Sequence, residues 1–135
     1  MLKTTAPFDL VLCIEAFHCF GNPSAVLKRA KAALDETQGS LVIADIFEKK
    51  DVDKIEALMK EHFVLEKKEN LTINVKHAMN LDKPRIEKLV HQITDIQLFR
   101  KMIRNFLASA DGSKTYNDLG KTKDYLCYVL RPQHQ

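Results

Sequence analysis

The sequence predicts an α/β fold, and three neighbouring segments near its start carry that prediction. Residues 8–14 form an almost unbroken apolar run, which is typical of a strand buried on both faces of a parallel sheet. The dipeptide Asn22-Pro23 matches the cap and first position of a helix, and apolar residues then recur at helical spacing as far as Gly39. A second apolar run follows over residues 40–45. The three segments are therefore predicted to form a strand, helix, strand unit with a right-handed crossover.

Hydrophobic periodicity predicts five further elements in the rest of the chain. They are a helix over residues 51–61, a strand over 63–69, a helical piece over 72–81, a longer helix opened by Lys83-Pro84 with a break near Thr94, and a closing strand over 124–130. The predicted order is β-α-β-α-β-α-α-β.

Composition limits the classes of protein to which the chain can belong. Its 135 residues are 45% apolar and 29% charged, as in one globular domain. A formal net charge of +3 is too small to indicate a nucleic-acid or membrane-surface partner. The apolar run Leu10–Ile14 is too short for a signal peptide or a membrane span, so we expect a cytoplasmic protein. Three cysteines without a C-x-x-C pair predict neither a disulfide framework nor a metal site.

Several motifs resemble a known enzyme family. The first strand reads FDLV and is followed by a loop with His18, a helix, Gly39 and a strand ending in Asp45. This order resembles the middle of a class I S-adenosylmethionine-dependent methyltransferase, although that family has two glycines where only Gly39 stands here. Residues 71–78 and 112–125 resemble later segments of small-molecule methyltransferases of the methyltransferase-11 kind. The resemblance implies a Rossmann-like methyltransferase sheet with extra helices before the last strand.

The resemblance also implies that part of the family's domain has no counterpart here. No G-x-G occurs in the sequence, and the first strand corresponds to the family's fourth. We therefore expect a truncated sheet without the first three strands, forming a partial methyltransferase domain: a strand-helix-strand core over residues 1–47, then helices and closing strands over 48–135. S-adenosylmethionine is the implied cofactor, and activity is expected only if the missing cofactor-binding half is supplied. The unpaired edge of the first strand would bind a partner or a second copy.

Candidate site residues follow the strands at their carboxyl ends, where ligands bind in open α/β sheets. Glu15, His18 and Asp45 all fall at such ends. The resemblance implies that His18 is catalytic and that Glu15 faces the cofactor. A histidine suits the role of base because imidazole groups exchange protons near neutral pH. It places Phe20 and Tyr116 against a small lipid-like or phenolic substrate. The alternatives are that His18 packs the loop and that the Glu15 carboxylate binds loop amides.

Other readings of the sequence lead to different functions. A non-catalytic α/β interaction module, derived from a truncated methyltransferase, would use the bare strand edge to bind a partner. A flavodoxin-like fold would make Asp45 an acid at a strand end without a cofactor role. A cysteine nucleophile at Cys19, beside His18, is disfavoured because adjacent side chains on a loop diverge.

Overall fold

The computed structural model describes residues 7–133, which contain one four-stranded sheet and five α-helices. The strands are β1 (Leu10–Ile14), β2 (Ser40–Glu48), β3 (Phe63–Asn70) and β4 (Lys123–Pro132). The helices are α1 (Pro23–Ala33), α2 (Val52–Lys60), α3 (Thr72–Ile93), α4 (Gln97–Phe106) and α5 (Lys114–Asp118). The strand order in the sheet is β1-β2-β4-β3. The predicted α/β class is confirmed.

The predicted strand, helix, strand unit is present as β1, α1 and β2. The two strands pair in parallel, in a register that runs from Leu10 opposite Ser40 to Ile14 opposite Ala44. The side chain of Asn22 caps α1 by accepting the Ala25 N–H at 3.0 Å. β2 continues three residues beyond the predicted end at Asp45.

Gly39 closes the turn between α1 and β2, and the turn explains why glycine stands there. A Cβ at this position would collide with the backbone carbonyl oxygen of Asp35, whose side chain also organises the turn. The Asp35 carboxylate accepts the N–H groups of Thr37 and Gln38 at 2.8 and 3.0 Å. Hydrogen bonds from Thr37 and Gln38 hold the pKa of Asp35 below its ordinary value.

β1 is the outermost strand of the described sheet, and only β2 pairs with it among residues 7–133. Leu10, Leu12 and Ile14 point to one face and remain 51, 61 and 49% exposed. Val11 and Cys13 point to the other face, where they pack against the core. The apolar pattern had predicted burial on both faces, but in the described residues one face of β1 is largely uncovered.

The described chain divides into two compact units. The first contains residues up to Asn70 and from Tyr125 onward, and holds a buried core made of Phe17, Leu27, Leu34, Leu41, Ile43, Phe47, Met59, Phe63, Leu126, Tyr128 and Leu130. In this unit, β3 pairs antiparallel with β4. The predicted division of the chain after residue 47 stays a prediction.

The second unit, Leu71–Asp124, contains α3, α4 and α5. The Arg104 guanidinium of α4 donates two hydrogen bonds of 2.8 Å to the Glu87 carboxylate of α3. The prediction of two helical pieces separated near Pro84 was wrong, because α3 runs through Pro84 without interruption. The break near Thr94 is confirmed, and α5 was not predicted. No helix within residues 7–133 combines the length and apolar character needed to cross a membrane.

Candidate active site

The loop after β1 holds His18 beside the neighbouring strand β2. Glu15 adopts a left-handed backbone conformation with φ of 53°, and its N–H donates to the Ala44 carbonyl at 2.9 Å. A short 3₁₀ turn, Phe17–Cys19, follows. The Phe17 side chain is 3% exposed and belongs to the core. The loop backbone is therefore hydrogen-bonded before His18 and anchored by the Phe17 side chain next to it.

Asp45 binds His18 through both its backbone and its ring. The Asp45 Oδ2 atom accepts the His18 backbone N–H at 2.9 Å, and His18 Nδ1 lies 2.8 Å from Oδ1 and 3.0 Å from Oδ2. The Ile46 N–H donates to Oδ1 at 2.7 Å. The Asp45 side chain is fully buried, whereas the His18 side chain is 53% exposed. A buried carboxylate needs such donors, because a buried charge without hydrogen bonds is costly. The pair therefore consists of a buried acid and an accessible imidazole.

The hydrogen bonds to Asp45 assign the two ring nitrogens of His18. Each Asp45 oxygen already accepts a backbone N–H, so the carboxylate acts as an acceptor and Nδ1 is the donor in the pair. In the neutral ring, Nε2 therefore carries the lone pair. Cys19 Sγ lies 3.3 Å from Nε2. His18 is thus arranged to accept a proton at Nε2.

A second pair of polar side chains lies in the same unit. Tyr125 of β4 is 8% exposed. Burial, and then its hydrogen bond to Glu15, raise the pKa of Tyr125. The phenol therefore stays protonated near neutral pH and donates to the Glu15 carboxylate. Burial and the nearby Asp45 carboxylate also raise the pKa of the Cys13 thiol.

An apolar groove of about 550 Å³ lies along β1 and α1. Its lining includes Val11, Cys13, Phe17, Phe20 and Val26. Phe20 is 42% exposed, so part of its ring is accessible. The groove is therefore lined by residues on either side of His18 in the chain.

The structure brings together some of the predicted site residues. Glu15, His18 and Phe20 lie in the loop after β1, within the first unit. Tyr116 lies in α5 of the second unit, where its hydroxyl donates to Asn80 Oδ1 at 3.0 Å and Lys76 Nζ lies 4.5 Å from its ring centroid. Their catalytic, cofactor-binding and substrate-binding roles stay predictions.

Three relationships at this site were not predicted from the sequence. Sequence patterns grouped Asp45 with His18 but did not pair them, and they did not assign Tyr125 as the partner of Glu15. Acids and histidines that end adjacent parallel strands are the signal that could have found the first pair. The argument that the Cys19 and His18 side chains diverge was wrong, because the 3₁₀ turn brings Sγ to Nε2.

Within residues 7–133, no three His, Cys, Asp or Glu side chains come together in a group that could hold a metal ion.

Searches by sequence against protein-family models and against curated proteins both give no match. Solved structures do resemble this chain. Phosphoethanolamine N-methyltransferase 2 of Haemonchus contortus, in complex with phosphomonomethylethanolamine and S-adenosylhomocysteine, is 18% identical with a TM-score of 0.71, over 93% of this chain and 34% of that one. The same enzyme in complex with S-adenosyl-L-methionine is 16% identical, with a TM-score of 0.70 over the same shares of the two chains.

A third similar structure is an O-methyltransferase from a trans-AT PKS multienzyme of Brevibacillus brevis, in complex with S-adenosyl-L-homocysteine. It is 14% identical, with a TM-score of 0.63, over 96% of this chain and 45% of that one. At these identities the likeness establishes the fold. The chain therefore has the Rossmann-like α/β fold of S-adenosylmethionine-dependent methyltransferases, and it spans about a third of the length of the Haemonchus contortus structures.

Proposed function

We propose that this chain is part of an S-adenosylmethionine-dependent methyltransferase in which His18 accepts a proton from a small-molecule acceptor. The observation that carries the proposal is the His18–Asp45 pair, in which a buried carboxylate binds Nδ1 of a ring whose side chain is 53% exposed. The similarity of the fold to methyltransferases in complex with this cofactor or its product supports the reaction class.

Each residue of the pair has a separate role in the proposal. When bound, the cofactor supplies the methyl group. His18 Nε2 removes the proton of the acceptor group, which increases the nucleophilicity of the acceptor. Asp45 is a positioning residue: it accepts the His18 backbone N–H, orients the ring through Nδ1 and stabilises the imidazolium that forms. A positioned base typically increases the rate by about 10²- to 10⁴-fold.

The residues of this chain fit the cofactor only in part. Glu15 is the residue proposed to face it, and the Glu15 carboxylate already accepts the Tyr125 hydroxyl. No G-x-G loop is present in the sequence to let a ligand approach the backbone closely. We therefore propose that activity requires cofactor-binding residues supplied from outside these 135 positions.

The proposed acceptor is lipid-like or phenolic. The groove along β1 and α1 is lined mainly by apolar side chains, and Phe20 contributes an accessible ring to it. Such a surface favours an apolar acceptor with a polar group that reaches His18. The substrate-binding role of Tyr116 stays a prediction. The proposal also includes a cytoplasmic location and no nucleic-acid partner.

Two measurements test this function. Calorimetry with the chain alone is expected to show no S-adenosylmethionine binding tighter than about 1 mM, because the main cofactor contacts are missing. In a domain completed with the cofactor-binding half, His18→Ala is expected to lower kcat by more than about tenfold. His77→Ala, an exposed histidine of α3, is the matched control and should leave kcat unchanged. Equal rates for the wild type and His18→Ala would remove His18 from the role of base.

A second candidate function is a non-catalytic interaction module. The exposed edge and face of β1 favour it, because strands with unpaired N–H and C=O groups and apolar side chains associate with other chains. The partner would add a strand next to β1, or a second copy of this chain would do so. Binding of a partner without any methyl transfer in a completed domain would favour this function.

A further inference from the structure

Cys19, His18 and Asp45 form a constellation of nucleophile, base and orienting acid. Cys19 Sγ lies 3.3 Å from His18 Nε2, within hydrogen-bond distance for sulfur, and Asp45 binds the other nitrogen of the same ring. A nucleophile within hydrogen-bond reach of a base that a third group orients is the geometric signature of covalent chemistry. The proposed methyl transfer does not use the Cys19 thiol.

The other two cysteines of the chain lack this arrangement. Cys13 and Cys127 are only partly exposed, whereas Cys19 is exposed, and all three are free thiols. Burial, followed by the charge of Asp45 for Cys13 and of Glu69 for Cys127, raises the pKa of both thiols. They therefore provide internal reference thiols in the same molecule.

The surroundings of Cys19 indicate the kind of molecule that would react. Phe20, the next residue, lines the apolar groove of about 550 Å³ together with Ala16 and Phe17 of the same loop. The groove has room for an apolar group of several carbons. A reagent that combines a soft electrophilic carbon with an apolar tail matches both features.

We propose that Cys19 is a nucleophilic thiol, activated by His18 and Asp45, and a modification site for soft carbon electrophiles with an apolar tail. In the addition to an activated alkene, the Sγ proton moves to His18 Nε2 and a bond forms between Sγ and the β-carbon. The carbon–carbon π bond breaks, and its electron pair takes a proton at the α-carbon from the imidazolium or from water. The product contains all atoms of both reactants.

Modification of Cys19 has a consequence for the proposed function, and this step rests on that function. An adduct on Sγ lies next to Nε2, the atom proposed to remove the acceptor proton. We infer that the adduct blocks that atom and inhibits methyl transfer. The thiol reactivity itself needs neither cofactor nor acceptor, so the two proposals can fail separately.

N-ethylmaleimide labelling of the chain at pH 7, followed by peptide mass spectrometry, tests the proposal. Cys19 is expected to react at least about tenfold faster than Cys13 and Cys127. His18→Ala is expected to slow Cys19 by about tenfold or more. The smaller side chain leaves Cys19 at least as accessible, so a slower reaction cannot come from shielding. His77→Ala is the matched control and should change no rate.

Asp45→Asn provides a second variant, with far-UV circular dichroism as the check of folding, in case His18→Ala perturbs the loop. It keeps the size of the buried side chain and is expected to slow Cys19 by at least about threefold, because the ring loses its orienting carboxylate. N-hexylmaleimide tests the groove: the rate at Cys19 relative to Cys127 should rise with the longer tail. Equal rates at the three cysteines, or a Cys19 rate unaffected by both variants, would overturn the proposal.

Discussion

At the scale of single residues, the buried Asp45 carboxylate of the first unit is matched with hydrogen-bond donors. Asp45 has no exposed surface and accepts hydrogen bonds from His18 and Ile46. Removal of one partner from a buried charged group costs about 1–3 kcal/mol or more, so the pairing maintains the loop conformation as well as orienting the ring. The same residues therefore contribute to stability and to the proposed chemistry.

Glu56 provides a prediction of how stability depends on pH. Burial raises the pKa of Glu56, but hydrogen bonds from Lys68 Nζ at 2.6 Å and Tyr128 Oη at 2.9 Å outweigh burial and hold the pKa below its ordinary value. A lowered folded-state pKa contributes stability above the unfolded value of about 4.3, and this stability is lost as the pH falls through the folded value. We expect the free energy of unfolding to decrease as the pH falls below about 4.3.

Urea unfolding at a series of pH values measures this effect. Glu56→Gln keeps an acceptor for Tyr128 but loses the ion pair with Lys68, and should lower the free energy of unfolding at pH 7 by about 1–2 kcal/mol. The difference from the wild type should shrink as the pH falls below about 4.3 and reach its minimum below the lowered folded-state pKa, where Glu56 is protonated in both states. Glu61→Gln, at an exposed position, is the control. A difference that stays constant from pH 7 to pH 3 would contradict the prediction.

At the scale of elements, α3 shows how tertiary contacts outweigh a local helix signal. Pro84 has no N–H to donate to the carbonyl four residues earlier, at Asn80, yet the helix continues through it. Ile86 and Val90, one turn apart, are both buried, and Glu87 binds Arg104 of α4. These contacts offset the lost hydrogen bond.

Pro84→Ala should therefore stabilise the protein. Alanine restores the hydrogen bond to the Asn80 carbonyl, and we expect the free energy of unfolding to rise by about 1–3 kcal/mol. The greater conformational entropy of the unfolded chain without proline reduces this gain. Chemical denaturation followed by far-UV circular dichroism measures the change. Pro23→Ala is the matched control, because Pro23 is at the first turn of α1, where its N–H would be unpaired. A gain at Pro23 as large as that at Pro84 would exclude this explanation.

At the scale of the whole molecule, the main feature is the unpaired edge of β1 in the described residues. Parallel strands are usually covered on both faces, whereas Leu10, Leu12 and Ile14 are about half exposed or more. The structural relatives are about two to three times longer than this chain. A surface of this kind favours association, either with residues that complete the domain or with other copies.

We expect the isolated chain to associate at micromolar concentration through β1. Leu12→Lys should shift the population toward monomer, because a charged side chain on the uncovered face opposes close packing of a second chain. Sedimentation velocity at several concentrations measures the shift. Ile73→Lys, at an 83% exposed position of α3, is the control for added charge. A monomer at all concentrations, or equal effects of the two substitutions, would exclude association through β1.

The amino-acid sequence by itself determined the elements whose signals are local. The apolar runs of β1 and β2, the Asn22-Pro23 start of α1 and the glycine after it predicted the parallel unit, because these signals depend on residues within one or two turns of each other. From that unit, the resemblance of the motifs led to the fold class that the solved structures support.

Only the tertiary structure decided the contacts between distant residues. His18 and Asp45 are 27 positions apart, and their pairing depends on the register of β1 against β2 and on the conformation of the intervening loop. The approach of Cys19 to the same ring depends on the 3₁₀ turn Phe17–Cys19, which no residue pattern predicted. Periodicity along the chain places these residues at the ends of the strands, but the packing of the unit and the conformation of the loop set the distances between their side chains.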